Sequence, residues 1–428
     1  NNGQVTAEAL ANVVYAASAA GTSMAYAEAE ASGAARAQGV GVFGNHIDYG
    51  IGNSGGIDAL ASALISALAA GATSLAAAHG RATATGLAID VDSIYGGIYN
   101  DDTGFTFTLV ETPPSNSGVI NATALVEATA QGGSDMSAGA YARAFGVKAE
   151  VSSTLGGGFW NSGSIAANAS ANARIIGDDA AEGDAMAVAY ATGVSLAAGA
   201  IGWDVLNEGT ISAFAHAHVE IPGENAYGGG YADARGLVVR AGYGGIDGSV
   251  VNAESATIHA RALVDGNPNE MVAKTAIATA LYVENAGSGY SVANSGLIHA
   301  EATDPTRAEA HGLVVSGGNY YGELYNSGTI EANARFTVEI GASEDMWASA
   351  TAVRLTDGAS FAGGIVNTGN IIATADGLSG LTATAINIED EGAAHTIAQL
   401  DGSIVGDIRM ANSYGDTIDW SGGTIEGD

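Results

Sequence analysis

A nine-residue refrain, Asn-Ser-Gly-x-Ile-x-Ala-x-Ala, limits what this chain can fold into more than any other feature. It stands at Asn53-Ser54-Gly55, Asn116-Ser117-Gly118, Asn161-Ser162-Gly163, Asn207-Glu208-Gly209, Asn294-Ser295-Gly296, Asn326-Ser327-Gly328 and Asn367-Thr368-Gly369, with looser copies at Asn1 and Asn252. Self-similarity at a spacing of roughly 30 to 60 residues marks stacked copies of one supersecondary unit, not a single globular core. The copies place unit starts near residues 1, 53, 116, 161, 207, 252, 294, 326, 367 and 400, so residues 1–428 read as one elongated array.

Each unit divides into three extended segments. The first follows the Asn-x-Gly turn, as in Thr329-Ile330-Glu331-Ala332-Asn333-Ala334, and its apolar residues alternate as on a half-buried strand. The second is more regular: Ala84-Thr85-Gly86-Leu87, Ala191-Thr192-Gly193-Val194, Ala234-Arg235-Gly236-Leu237 and Ala310-His311-Gly312-Leu313, with Ala replacing Gly in Ala278-Thr279-Ala280-Leu281 and Ala350-Thr351-Ala352-Val353. The third is brief and carries an apolar residue two places before Asn: Ile51, Phe159, Val205, Val250, Val292, Leu324 and Ile365. Three strands per turn, each pairing with its counterpart in the next turn, describe an all-β parallel β-solenoid of about nine to ten turns, right-handed by the crossover rule. Ala favours helix over strand, so Ala7 to Ala31 alone reads as helix on propensity; the alternation repeated in register across the units predicts strand instead.

Parallel stacking places identical letters over one another, at about 4.8 Å per turn. Asn53, Asn116, Asn161, Asn207, Asn252, Asn294, Asn326 and Asn367 then form a structural ladder, because a side-chain amide both donates and accepts along a stack. Asn also tolerates a left-handed corner, and the Gly two places later is expected to supply positive φ. Strand one runs from Ile through successive Ala residues and strand two returns through Ala and Gly to Leu or Val, which predicts a wedge-shaped cross-section. The loop between these strands sits at the thin edge. It varies from Thr303-Asp304-Pro305-Thr306 to the acidic run Gly177 to Asp184.

Composition enters as a filter on function. The formal net charge is −33, a surface that repels nucleic acid and anionic lipid and attracts cations such as Ca²⁺. Cys is absent, so neither disulfides nor thiol chemistry are available, which suits a chain threaded unfolded through a pore. No basic segment of signal-peptide type opens the sequence. Ile57 to His79 has the length of a membrane span, but its apolar content is mostly Ala and it begins in register with the repeat; a local helix or a long Ala-rich strand is expected.

Motifs that spell chemistry dissolve into the repeat. Gly52-Asn53-Ser54-Gly55-Gly56 matches a nucleophile elbow by letters, but Ser54 belongs to the turn refrain. Gly39-Val40-Gly41-Val42-Phe43-Gly44 matches a dinucleotide fingerprint inside a strand, where no helix N-terminus follows. Stacking suggests one candidate metal site: His259, His299 and Glu331 each follow the motif Ile and should lie outward in one column. Arg261 should pair with Glu301 in the next column. Acidic loops at Asp178, Asp179, Glu182 and Asp184, at Glu344-Asp345 and at Glu389-Asp390-Glu391 offer Ca²⁺ ligands, although neither an EF-hand nor a glycine-rich nonapeptide run accompanies them. Thr83, Thr85, Thr192, Thr279, Thr351, Thr382 and Thr384 should point outward from strand two; Gln38, Phe145, Arg235 and His311 interrupt any ice-binding lattice.

The refrain, together with the ending Gly415-Asp416-Thr417-Ile418-Asp419-Trp420-Ser421-Gly422-Gly423-Thr424-Ile425-Glu426-Gly427-Asp428, resembles the passenger regions of bacterial autotransporters over nearly the whole chain. A C-terminal translocating β-barrel of that family is not in this sequence. The resemblance implies a secreted β-solenoid displayed at the outer membrane, at the bacterial cell surface, through a translocator outside this sequence. It implies no catalytic residues and no cofactor, and a role as a stiff rod that binds an extracellular or cell-surface ligand or assembles with other copies of itself into fibres. The competing class is a polysaccharide lyase or hydrolase on the same fold. It needs opposed acids, or Ca²⁺ with a basic residue, and the chain has only 13 Lys and Arg to offer.

Overall fold

In the computed structural model the chain coils into ten three-stranded turns and begins an eleventh. The structure describes residues 3–18, 26–48, 50–70, 73–100, 118–132, 135–177, 182–221, 226–266, 274–304, 306–336, 346–377, 380–389, 394–411 and 415–427. Three long parallel sheets, of 11, 10 and 10 strands, are each built from one strand per turn, and every strand pairs with the same strand of the turns before and after it. The parallel β-solenoid read from the repeat is the fold. Among the described residues there is no helix, and Ile57 to His79 contributes to two strands, Gly56–Ala70 and Thr73–Ile94.

The base of each turn is nearly invariant. One column of sheet one runs Ile57, Ile120, Ile165, Ile211, Ile258, Ile298, Ile330 and Ile371, and every member is at most 1% exposed. Burying one such side chain is worth about 1.5 to 3 kcal/mol. Above six of these eight Ile residues lies the Gly of the preceding turn's second strand: a Cβ at Gly39, Gly86, Gly146, Gly193, Gly236 or Gly312 would stand 2.4 to 2.8 Å from Cγ2 of the next Ile, whereas Ala280 and Ala352 take that position above Ile298 and Ile371. Strand two bends at this Gly. Inward alternation therefore breaks, and Gly and the following Leu or Val both face the core.

Away from the base the two sheets run side by side as arms whose facing side chains are methyl groups, including Ala59, Ala61, Ala63, Ala76, Ala78 and Ala82. At several places where a larger residue interrupts strand one, strand two answers with Gly. Ile65 fills the Cβ position of Gly33, Val126 that of Gly80, Val219 and Ile221 that of Gly228, and Val264 that of Gly230. Constant spacing along the arms requires this exchange, because close-packed interiors have no slack for an added methyl.

The arms shorten along the stack. Strand one spans 15 residues in Gln4–Ser18 and Gly56–Ala70, 11 in Thr210–Glu220, 8 in Leu297–Asp304 and 7 in Asn370–Asp376. At about 3.3 Å per residue the first arms reach about 50 Å, similar to the height of ten turns at about 4.8 Å each. The described turns thus form a broad blade that narrows toward the later turns.

Two corner expectations need correction. Asn53, Asn161, Asn207, Asn252, Asn294, Asn326 and Asn367 do form a buried ladder, but its second member is Asn100, with Asn53 donating to it at 2.9 Å and Asn100 donating to Asn161 at 2.8 Å. Asn116 lies outside the described residues. Asn100 ends the third strand Gly97–Asn100, in register with Gly50–Asn53 and Phe159–Asn161, and Gly118 still accepts its amide at 3.1 Å although residues 101–117 intervene. Nor are the refrain glycines from Gly55 to Gly369 chosen for positive φ, since neither they nor the ladder asparagines adopt it. Adjacent turns approach so closely there that a Cβ on Gly163, Gly209, Gly328 or Gly369 would lie 2.0 to 2.1 Å from the carbonyl oxygen of the preceding turn's Gly.

Candidate functional site

Each ladder amide is fully committed. Asn207 donates to Asn252 at 2.8 Å, to the Gly209 carbonyl at 3.1 Å and to the Thr257 carbonyl at 3.2 Å, while accepting from Asn161 at 2.8 Å. Gln399 closes the described ladder by accepting from Asn367 at 2.7 Å. These residues hold the fold and have no capacity left for chemistry. Ser54 sits in the corner that follows the strand Gly50–Asn53, and Gly39 to Gly44 lies within the strand Tyr26–Ile47, so neither motif has the helix its chemistry requires.

The expected His column exists as a register. His259 pairs with His299 and His299 with Glu331, and the two imidazoles stack with centroids 4.9 Å apart and planes 11° apart. Burial, then the neighbouring His299, pushes the His259 pKa down. The next column intervenes between the remaining members, because the Asn333 amide donates to Glu331 at 2.8 Å and lies 3.1 Å from His299 Nε2. Arg261 and Glu301 pair as expected, at 3.4 Å, and Arg261 also covers the Phe214 ring at 5.7 Å.

A different polar cluster lies near the tip of the arms, where strand one falls from 11 residues to 10 and then 8. Alternation on Thr210–Glu220 turns Phe214, His216 and His218 to the same outer face, and register sets Asp265 of Thr257–Gly266 opposite His218. Asp265 Oδ1 lies 2.5 Å from His218 Nδ1 and 3.1 Å from His216 Nε2. Among the described residues, these are the three acidic or imidazole side chains whose ligand atoms all lie within 4.8 Å of one another. Burial alone would raise the Asp265 pKa, but the hydrogen bonds and charges of His216 and His218 hold it well below the carboxylate range. Its hydrogen bond to Asp265 in turn raises the pKa of His218, against burial.

On the inner side of the same region Asp304 is buried, with Oδ1 accepting from the Thr306 and Arg307 amides at 2.5 and 2.9 Å. Burial pushes its carboxyl up to about 6 in spite of those bonds and of Lys274. Lys274 is itself buried, which lowers its pKa. Of the acidic loops considered for Ca²⁺, Asp178, Asp179, Glu344, Asp345, Asp390 and Glu391 fall outside the described residues. The Thr column is not a flat exposed array: Thr279, Thr351 and Thr384 are 8%, 6% and 2% exposed, sunk at the bend of strand two.

The outer face of sheet two carries what sequence patterning did not single out. Tyr141, Tyr190 and Tyr231 zigzag across three turns with centroids 5.6 and 5.4 Å apart, Arg81 caps Tyr141 at 4.6 Å, and Arg143 covers Phe145 at 4.7 Å. Beside them Gly80, Gly139, Ala140 and the exposed Met186 line an open trough. No protein-family model matches the chain, and neither a curated protein nor a solved structure matches it.

Proposed function

We propose that this chain is a noncatalytic structural and adhesive module of a secreted bacterial surface protein, of the kind its repeat resembles. The observation that carries the reading is the combination of a stiff, amide-laddered stack with a broad outer face bearing the Tyr141, Tyr190 and Tyr231 strip. Aromatic side chains fixed on strands offer large contact area at little cost in conformational entropy, which suits recognition of an extended extracellular ligand. The trough beside them is open, a shape for lying against a surface more than for enclosing a reacting group. The charge of −33 directs the choice toward neutral or cationic partners, away from nucleic acid and anionic membrane.

The test is binding of the purified protein to immobilised neutral and acidic glycans and to cell-surface extracts, with a Tyr141→Ala/Tyr190→Ala double variant beside it. The proposal expects retention that the double variant loses while keeping its β-sheet circular dichroism. Release of reducing sugars or unsaturated products from any polysaccharide would replace this reading with the enzymatic one.

A further inference from the structure

We infer that His216, His218 and Asp265 form a zinc-binding site that clips one turn of the solenoid to the next near the arm tips. The argument begins with the donor set. Two imidazoles on alternate residues of one strand and a carboxylate from the adjacent strand are a recognised ligand combination for Zn²⁺, which takes N at about 2.0 Å and O at about 2.0 to 2.2 Å in tetrahedral geometry. Ligand atoms on such an ion stand about 3.3 Å apart. His216 Nε2 and Asp265 Oδ1 are already 3.1 Å apart, and His218 Nδ1 needs to withdraw from its 2.5 Å contact by less than 1 Å.

Three further features favour an ion over a simple hydrogen-bonded trio. The side chains are partly enclosed, at 26%, 32% and 46% exposure, so they are shielded yet reachable. Register fixes their backbones, because Thr210–Glu220 is paired on both sides along this stretch, with Ser164–Ile176 before it and Thr257–Gly266 after it. Phe214 stacks on the His216 ring at 6.0 Å, limiting its rotation. Of the charges nearby, Glu220 favours a cation but is paired with Arg174 at 3.0 Å, while Lys274 and the Arg261 guanidinium over Phe214 oppose one. Binding would replace the hydrogen bond between His218 and Asp265 with two bonds to the ion and release the proton between them. A water completes the fourth position.

Isothermal titration of the whole protein with ZnCl₂ at pH 7.5 should show one site, lost or weakened at least tenfold in His218→Ala and in Asp265→Asn and unchanged in His299→Ala. The same titration followed by NMR of ¹⁵N-histidine-labelled wild-type protein needs no variant to fold: His216 Nε2 and His218 Nδ1 should move together at one equivalent of zinc. Absence of zinc binding by the wild type overturns the inference. So does a site that His299→Ala abolishes, or histidine shifts confined to His259 and His299.

Discussion

The early and late turns of this solenoid share a base and differ in their arms. Gly56–Ala70 and Thr73–Ile94 extend 15 and 22 residues, while Asn370–Asp376 and Leu381–Ile388 extend 7 and 8. Yet Ile57 and Ile371 are both fully buried, Asn53 and Asn367 make the same kinds of bonds, and a Cβ on Gly55 or Gly369 would meet the preceding turn's glycine carbonyl at 1.9 and 2.1 Å. The difference teaches where specification lies. The base sets register for every turn, and the arms are paired Ala extensions that lengthen or shorten as long as both strands change together and size is balanced across them.

If that division holds, base substitutions should cost the same in long-armed and short-armed turns. Asn207→Ala and Asn326→Ala each remove the shortest bond of the preceding asparagine's amide and take the side-chain donor from the buried carbonyl oxygen of the next asparagine, so each should lower stability by about 2 to 4 kcal/mol in urea unfolding. A cost in one turn only would break the comparison. In the arms the effect should be smaller and reversible by compensation. Gly230→Ala places a methyl 2.4 Å from Val264 Cγ1 and should cost about 1 to 3 kcal/mol, and Val264→Ala in the same chain should recover much of it, giving a non-additive cycle.

Asp304 sharpens the contrast through pH. Its folded pKa, about 6, lies above the ordinary carboxylate value, so its stabilising contribution is complete below that ordinary value and lost as pH rises through about 6. Asp304→Asn keeps the Oδ1 acceptor and should raise the melting temperature over wild type at pH 8 but much less at pH 5. Equal effects at both pH values would remove burial of the charge as the cause. Asp265 has the opposite sign: its lowered pKa means stability present above the ordinary carboxylate value and lost as pH falls below it. Smallest of all should be the solvent-accessible pair of the exposed Arg261 and the half-buried Glu301, whose coupling in a double-mutant cycle should stay below about 1 kcal/mol.

The base was legible in the sequence because in-register parallel stacking superposes the same letters, and Ile, Gly and Asn columns can be aligned by eye. The arms were less legible. A complete Asn-Ser-Gly at Asn116 outweighed the weaker Gly97-Ile98-Tyr99-Asn100, although the residue two before the ladder Asn, Ile98, fits the third-strand column. The Ile65 and Gly33 exchange links positions on different strands and turns, which no single-strand periodicity displays. The His216, His218 and Asp265 cluster did carry a signal: the offset that aligns Ile211 with Ile258 also aligns His218 with Asp265. Register alone does not reveal Asn333 of the next column, whose amide occupies the space between His299 and Glu331.

The corner ladder also has a direction. Every amide from Asn53 to Asn367 points its donor toward the following turn, every one from Asn100 on takes its acceptor bond from the preceding turn, and the extra bonds to corner carbonyls such as those of Gly55, Gly163 and Gly369 hold them against flipping. Such a column is vectorial. Excising or duplicating a whole turn between two asparagines leaves it continuous, whereas gaining or losing a fraction of a turn interrupts it, so variation in length should come in complete coils.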